Sequence, residues 1–369
     1  MEKREYRRNA IVMIYLAACA VNGTVPDAEK LQGYDLGQLF EVCQAHILTA
    51  CAAYALESAG IHDPQFTQAK EKAIRKNILL DAERGKIFAR LEQAQIWYMP
   101  LKGAILKDWY PKLGMRQMSD NDILYDFSRR SDVQQIMSEF GFELKAAREV
   151  VDEYQKEPVY NYEMHGELFM KYQVGAMADY YCGVRDRLLK DAQNAYGYHF
   201  TAEDFYLFML AHEYKHFKLS GTGVRSLLDT YIFLRKFSDT LDWDYIHAEC
   251  EKLGIAEYEQ NNRVLSMKLF ARKKLTEEEM HLLNYHIFSG TYGNRETGLE
   301  NRFRAHGSGS KLRYVLYRFF PPYESLKTSV PWVAKSDLLI PAAWAYRLMK
   351  APFISGKKLI NEFRFLKQQ

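Results

Sequence analysis

The sequence predicts an α+β protein, with a short run of strands set between two helical regions. Three observations carry this. Residues 1–95 and 201–369 place apolar side chains at helical spacing. Residues 96–200 instead hold four short β-prone runs separated by turns. In the second of those runs two aspartates, Asp120 and Asp122, stand one residue apart in an apolar setting.

The first region, 1–95, reads as a helical N-terminal layer. Residues 11–21 form an apolar run behind Arg7 and Arg8, closing on Ala18-Cys19-Ala20, which also fits a secretory leader. Glu2 and Glu5 dilute the basic start and the run is short, so a buried first helix is the expectation. Residues 39–56 are rich in Ala, Leu and Cys, and residues 67–95 are charged with apolar positions at helical spacing.

The second region, 96–200, reads as an α/β core. Its β-like runs lie at 96–99, 120–125, 140–146 and 159–165, with a helix near 131–139. The third region, 201–369, returns to helix. Thr201 is a candidate N-cap, and Asp204 follows where an acid favours a helix start. Gly221-Thr222-Gly223 ends that helix and residues 226–237 begin the next. Gly307-Ser308-Gly309-Ser310 reads as a flexible loop, and the Pro-punctuated tail 321–352 as a segment wrapping back over the body.

Composition narrows the function. A chain of 369 residues, 48% hydrophobic and 14% aromatic, has enough apolar surface for two or three packed domains, which excludes wholesale disorder. Fifty Lys and Arg against 47 Asp and Glu give a formal charge of +3, too balanced to be a strong nucleic-acid signal. Five cysteines without a Cys-x-x-Cys pair argue against a disulfide framework and against a cysteine zinc site. No segment reaches bilayer length, so no membrane partner is expected and the cytoplasm is the expected location.

The chemistry concentrates at Pro100-Leu101-Lys102-Gly103 and, beyond Arg116, at Ser119-Asp120-Asn121-Asp122. Side chains alternate along a strand, so Asp120 and Asp122 point to one side and can grip one metal-bound phosphate. The Lys-Gly turn adds exposed backbone N–H groups and a cation close to a phosphate chain. Nucleotidyl transfer uses two divalent ions, so a third acid on a neighbouring strand is expected. Glu163 in Tyr162-Glu163-Met164-His165 is the candidate, with His165 on its face and Tyr162 and Met164 on the other.

On these residues the chain resembles the uncharacterised nucleotidyltransferases of the DNA polymerase beta-type superfamily, which carry a Lys-Gly turn, an Arg and an Asp-x-Asp strand. It is similar again at Gly221-Thr222-Gly223-Val224-Arg225 through Asp229, at Phe319-Phe320-Pro321-Pro322, and at Leu338-Leu339-Ile340-Pro341 with Trp344. The resemblance implies a small mixed-sheet nucleotidyltransferase core. It also implies NTP as substrate, two Mg²⁺ ions, and metal ligation by Asp120, Asp122 and Glu163. Lys102, Gly103, Arg116, Ser119, His165 and Arg225 would contact the nucleotide. The acceptor, whether small molecule, peptide, protein or RNA, stays open. Where the wider superfamily often has Ser after its glycine, Ala104 stands here, so a non-catalytic nucleotide-binding or partner-binding module is the alternative.

A competing motif is His212-Glu213-Tyr214-Lys215-His216, which has the H-E-x-x-H spacing of zinc metallohydrolases. Both histidines share a helical stripe with Phe205, Phe208 and Met209, which fits core packing, and Glu213 is left with two placements, beside a zinc or facing solvent beside Lys215. No third ligand is marked, since Asp229 and Glu249 are only generic candidates. Arg225 and Asp229, four apart on a helix, can form a pair, although Arg before Asp is the weaker order, and a role in nucleotide or acceptor contact is the alternative.

Overall fold

The computed structural model describes residues 1–350 apart from 171–174, 308–309, 324–325, 327–329, 331 and 334–335. The loop expected at Gly307–Ser310 and the tail expected over 321–352 lie partly outside the described residues. The chain clusters into two compact units, residues 1–215 with 223–291, and residues 216–222 with 292–369.

The larger unit begins with α1 (Lys3–Asn22), α2 (Leu36–Ala45), α3 (Thr49–Ser58) and α4 (Pro64–Gln93). The apolar run 11–21 is the buried stripe of α1, with Met13, Leu16, Ala17 and Cys19 sealed against α2, α3 and α11 (Ala256–Phe270). Ile47 has φ +54°, which breaks the Ala- and Leu-rich stretch into α2 and α3. Asp63 starts α4 by accepting from the backbone N–H of Gln65 and Phe66, with Pro64 at the first position.

The core then runs β1 (Tyr98–Pro100), α5 (Gly103–Leu106), β2 (Asn121–Tyr125), α6 (Arg130–Glu139), β3 (Glu143–Ala147), β4 (Val151–Lys156) and β5 (Tyr160–His165). The sheet order is β1-β2-β5-β4-β3, and β2 runs parallel to β5 while the other pairs are antiparallel. A mixed sheet is therefore present. Strand β4 is a fifth strand, beyond the four runs read from the sequence. Its apolar positions are interrupted by Asp152, which is fully buried and held by Arg130 and Gln134 of α6.

One face of the sheet packs on helices. Tyr98, Ile123, Tyr125, Tyr162 and Met164 join Leu80, Ile87 and Leu91 of α4 and Val133, Ile136 and Met137 of α6 in one buried cluster. Alternation along β2 and β5 leaves Asp122, Leu124, Glu163 and His165 on the opposite face.

Short elements follow: α7 (Gly175–Tyr180), then β6 (Leu189–Lys190) paired with β7 (Tyr198–His199). The long α8 (Ala202–Leu219) starts where Thr201 Oγ1 accepts from the Asp204 N–H at 3.1 Å, as the sequence reading expects. It is followed by α9 (Val224–Phe237), α10 (Trp243–Leu253), α11 and α12 (Glu277–Ser289), the last opened by a reciprocal Thr276–Glu279 cap.

The smaller unit contains α13 (Arg295–Gly307), α14 (Lys311–Phe319) and helical residues 340–350. Leu299 and Phe303 pack on Tyr314 and Val315, and Leu326, Val330, Val333 and Ala343 form a second apolar knot. Asn301 donates to the Phe217 carbonyl at 2.8 Å, tying α13 to segment 216–222. Among the described residues, no helix is long and apolar enough to cross a membrane.

Candidate functional site

The parallel pairing of β2 with β5 sets Asp122 directly beside Glu163. One ligand atom from each of Asp122, Glu163 and His165 lies within 4.8 Å of the others, the grouping of potential metal ligands found among the described residues. His165 Nε2 stands 3.0 Å from Asp122 Oδ1 and 3.5 Å from Glu163 Oε2. Lys102 Nζ stands 3.3 Å from Asp122 Oδ2.

Lys102 is placed by its backbone. It has φ +42° and ψ −110°, a costly conformation for a side-chain-bearing residue. The turn is fixed because the Leu101 N–H donates to the Asp122 carbonyl at 2.9 Å, while the N–H groups of Ile105 and Leu106 donate to the Lys102 carbonyl. Such strain persists where surrounding structure over-determines it, and here the result is an ammonium aimed at a carboxylate.

Gly103 is required by close approach. A Cβ built on it would lie 2.7 Å from Arg116 Nη1 and 3.1 Å from the Met118 Sδ and Cε atoms. Arg116 itself is buried and forked onto Asp229, with Nε to Oδ1 at 2.9 Å and Nη2 to Oδ2 at 3.0 Å. The Tyr110 hydroxyl donates to the same Oδ1 at 2.7 Å. Asp229 thus takes its fork from Arg116 across the fold, rather than from Arg225 one turn away. A bidentate guanidinium fits a carboxylate better than the reversed i,i+4 arrangement does.

These charges stand close enough to shift one another. For Asp122, burial pushes the carboxyl up, but Lys102 and the His165 hydrogen bond outweigh it and hold it well below the usual carboxylate range. For His165, burial works against the charged form, yet hydrogen bonds to Asp122 and Glu163 raise it above its ordinary value. Asp120 precedes β2 and lies outside the Asp122–Glu163–His165 grouping. Burial first, and then the charge of Asp122, push its carboxyl up to about 6, against Lys102 and Arg225. The carbonyl of neighbouring Ser119 accepts from Lys76 Nζ at 2.8 Å.

Lys215 belongs to this neighbourhood and escapes the sequence reading. Burial and the nearby Lys102 lower its ammonium to about 8, while Asp122 and Glu163 oppose that shift. Its Nζ sits 5.8 Å from the Phe169 ring centroid. The signal lay inside His212-Glu213-Tyr214-Lys215-His216, where the histidines draw the eye. Glu213 does not face solvent, one of the two placements left open for it: it is buried and accepts from Asn262 Nδ2 at 3.3 Å. Burial, reinforced by the charge of Asp229, raises its carboxyl well above the usual range. His212 and His216 are half-buried and belong to no grouping of three or more ligands among the described residues.

Ala104 is 5% exposed and packs in the cluster behind the sheet with Met118 and Ile123. Its methyl therefore lies with the residues of the face opposite Asp122. The carboxylates of Asp122 and Glu163 are hard oxygen donors side by side, the donor set that Mg²⁺ takes, so the residues present fit that ion.

Compared with known proteins, residues 32–271, roughly two thirds of the chain, match the family model described as uncharacterised nucleotidyltransferase. No curated protein and no solved structure matches.

Proposed function

The chain belongs to the uncharacterised nucleotidyltransferase family, and from that premise we propose that it transfers a nucleoside monophosphate from an NTP to a hydroxyl-bearing acceptor. The observation that carries this is the in-register Asp122–Glu163 pair on parallel strands, with Lys102 reaching Asp122 at 3.3 Å from a strained turn. Asp122 and Glu163 would hold Mg²⁺, joined by Asp120. When bound, the ions supply neutralisation of the triphosphate and a lower pKa at the attacking hydroxyl.

The chain's own residues do the rest. Lys102 offers a compact ammonium to the phosphates, and Gly103 lets them approach the turn backbone. Ser119 and Arg225 flank Asp120 for nucleotide contacts, and Lys215 adds a second cation from α8. Arg116, forked onto Asp229, sets the height of the Gly103 turn from beneath. His165 holds the Asp122 carboxylate in place. Glu163, the more exposed acid, accepts the proton of the acceptor hydroxyl as that oxygen attacks the α-phosphorus and the bond to pyrophosphate breaks.

The test is a screen of the four NTPs with Mg²⁺ by thermal shift and by pyrophosphate release with candidate acceptors, since a ligand that binds the native state raises its melting temperature. Release beyond stoichiometry that disappears in Asp122→Ala supports transfer. A thermal shift without release assigns a nucleotide-sensing module instead.

A further inference from the structure

The carboxylate face continues into a cavity of about 110 Å³ that no step of the proposed reaction uses. Its walls include Trp97, Leu124, Leu168, Phe169, Tyr181 and Arg185. Leu124 follows Asp122 by two residues on β2, so it shares that face about 7 Å further along the strand. Met99 of β1 is paired with Leu124, which puts Trp97, two residues before it, on the same side. Phe169 lies beneath Lys215, whose ammonium responds to both Asp122 and Glu163. The cavity is therefore one strand repeat from the acidic pair, at the carboxyl ends of the two parallel strands.

Its walls are built for a flat ring. Phe169 and Tyr181 meet at 5.1 Å between centroids, and Arg185 is held 5.4 Å from the Trp97 centroid and 4.0 Å from that of Tyr198. A hydrogen bond of 2.6 Å from Arg185 to the Tyr198 hydroxyl fixes the guanidinium there. Aromatic faces with a clamped cation favour a planar π-system over an alkyl chain. An apolar cavity of about 150 Å³ takes up benzene, so this smaller one has room for a single small ring, and a bicyclic ring would enter it only in part.

We propose that this cavity binds the planar ring of a reactant, carried either by the nucleotide as its base or by the acceptor. Only the naming of those two carriers rests on the transfer reading above.

Cys182 makes the site measurable. It lines the cavity and is exposed, whereas Cys19, Cys43, Cys51 and Cys250 are buried, so a thiol reagent reports on it selectively. The rate of iodoacetamide alkylation at Cys182, read by mass spectrometry, is compared with each of the four NTPs plus Mg²⁺, with Mg²⁺-tripolyphosphate as the ringless control, and with indole and 2-phenylethanol. Slowing of about fivefold or more by an NTP but not by tripolyphosphate assigns the base; slowing by indole or 2-phenylethanol, but by no NTP, assigns the acceptor. Trp97→Leu, which removes one wall, should abolish the protection and leave the Mg²⁺-tripolyphosphate thermal shift intact.

Rates unchanged by every ring-bearing probe, protection by tripolyphosphate equal to that by NTP, or protection undiminished in Trp97→Leu would each overturn the assignment. Alkylation needs no turnover. Protection without pyrophosphate release therefore removes the transfer reading and keeps the cavity, and release without protection does the reverse.

Discussion

Removing the carboxylate of Asp229 tests whether the Lys102-Gly103 turn is held from beneath. Asp229 is 4% exposed and Arg116 is 8% exposed, so water screens neither. Asp229→Ala deletes two charge-assisted bonds and the Tyr110 hydroxyl bond, and leaves a guanidinium buried without its counter-ion. Truncating one partner of such a pair costs about 3–5 kcal/mol, well above the ~0–1 kcal/mol of a surface ion pair. The larger unit unfolds with an entropy of about 0.6 kcal/mol/K at typical per-residue values, so its melting temperature should fall by about 5–8 °C.

The assay is urea and thermal unfolding of the single variants Asp229→Ala and Arg116→Met and of the double variant. The double variant should be less destabilised than the sum of the singles by about 2 kcal/mol or more, because it removes both charges together. Arg116 Nη1 also occupies the space beside Gly103, so Asp229→Ala should raise the apparent dissociation constant of an NTP at temperatures where the protein stays folded. A loss under about 1 kcal/mol for Asp229→Ala, or a coupling near zero, would refute the reasoning.

Four further outcomes are expected. Asp122→Ala should lower Mg²⁺-dependent pyrophosphate release by at least about a thousandfold while the protein still folds, because it removes a charge at the reacting centre; retained turnover would remove Asp122 from the site. Lys215→Met should weaken NTP binding by about tenfold in a thermal-shift titration, with little change at high salt, where long-range attraction is screened. Glu213 has a folded-state pKa well above its ordinary 4.5, so the stability it contributes is full below about pH 4.5 and is lost as pH rises; Glu213→Gln should gain stability relative to wild type at pH 8 but not at pH 4.5. His46 behaves oppositely: burial lowers it from 6.5 to about 4, so its contribution is full above pH 6.5 and lost as pH falls towards 4, about 3 kcal/mol in all, and His46→Gln should flatten that part of the acid limb in urea midpoints.

Much of the fold is legible because local chemistry encodes it. Thr201 announces a helix start, and alternation along residues 160–165 separates Tyr162 and Met164 from Glu163 and His165 before any coordinates are seen. What resists reading is set by distant partners. Asp152 makes β4 look like a loop because its neutralising Arg130 lies on another element. Glu213 can pass for a solvent-facing acid because Asn262, its partner in the core, lies three helices on, in α11. The Asp229 fork comes from a residue more than a hundred positions earlier, which no helical spacing contains.

The site shows the same division at finer scale. Period-two alternation groups Asp120 with Asp122, but β2 begins at Asn121, so only Asp122 is held within the pleat against β5. After β2 the chain makes α6, β3 and β4 before β5 returns to lie parallel beside it, and the register of that return sets Asp122 opposite Glu163. A shift of one residue would send Glu163 and His165 into the apolar cluster against α4 and α6 and bring Tyr162 and Met164 to the carboxylate face. Burial of Tyr162 and Met164 thus fixes the geometry of the acids. A substitution such as Met164→Asp, remote from the carboxylates yet within the apolar face, would be expected to disturb the acidic pair through register as well as to cost core stability.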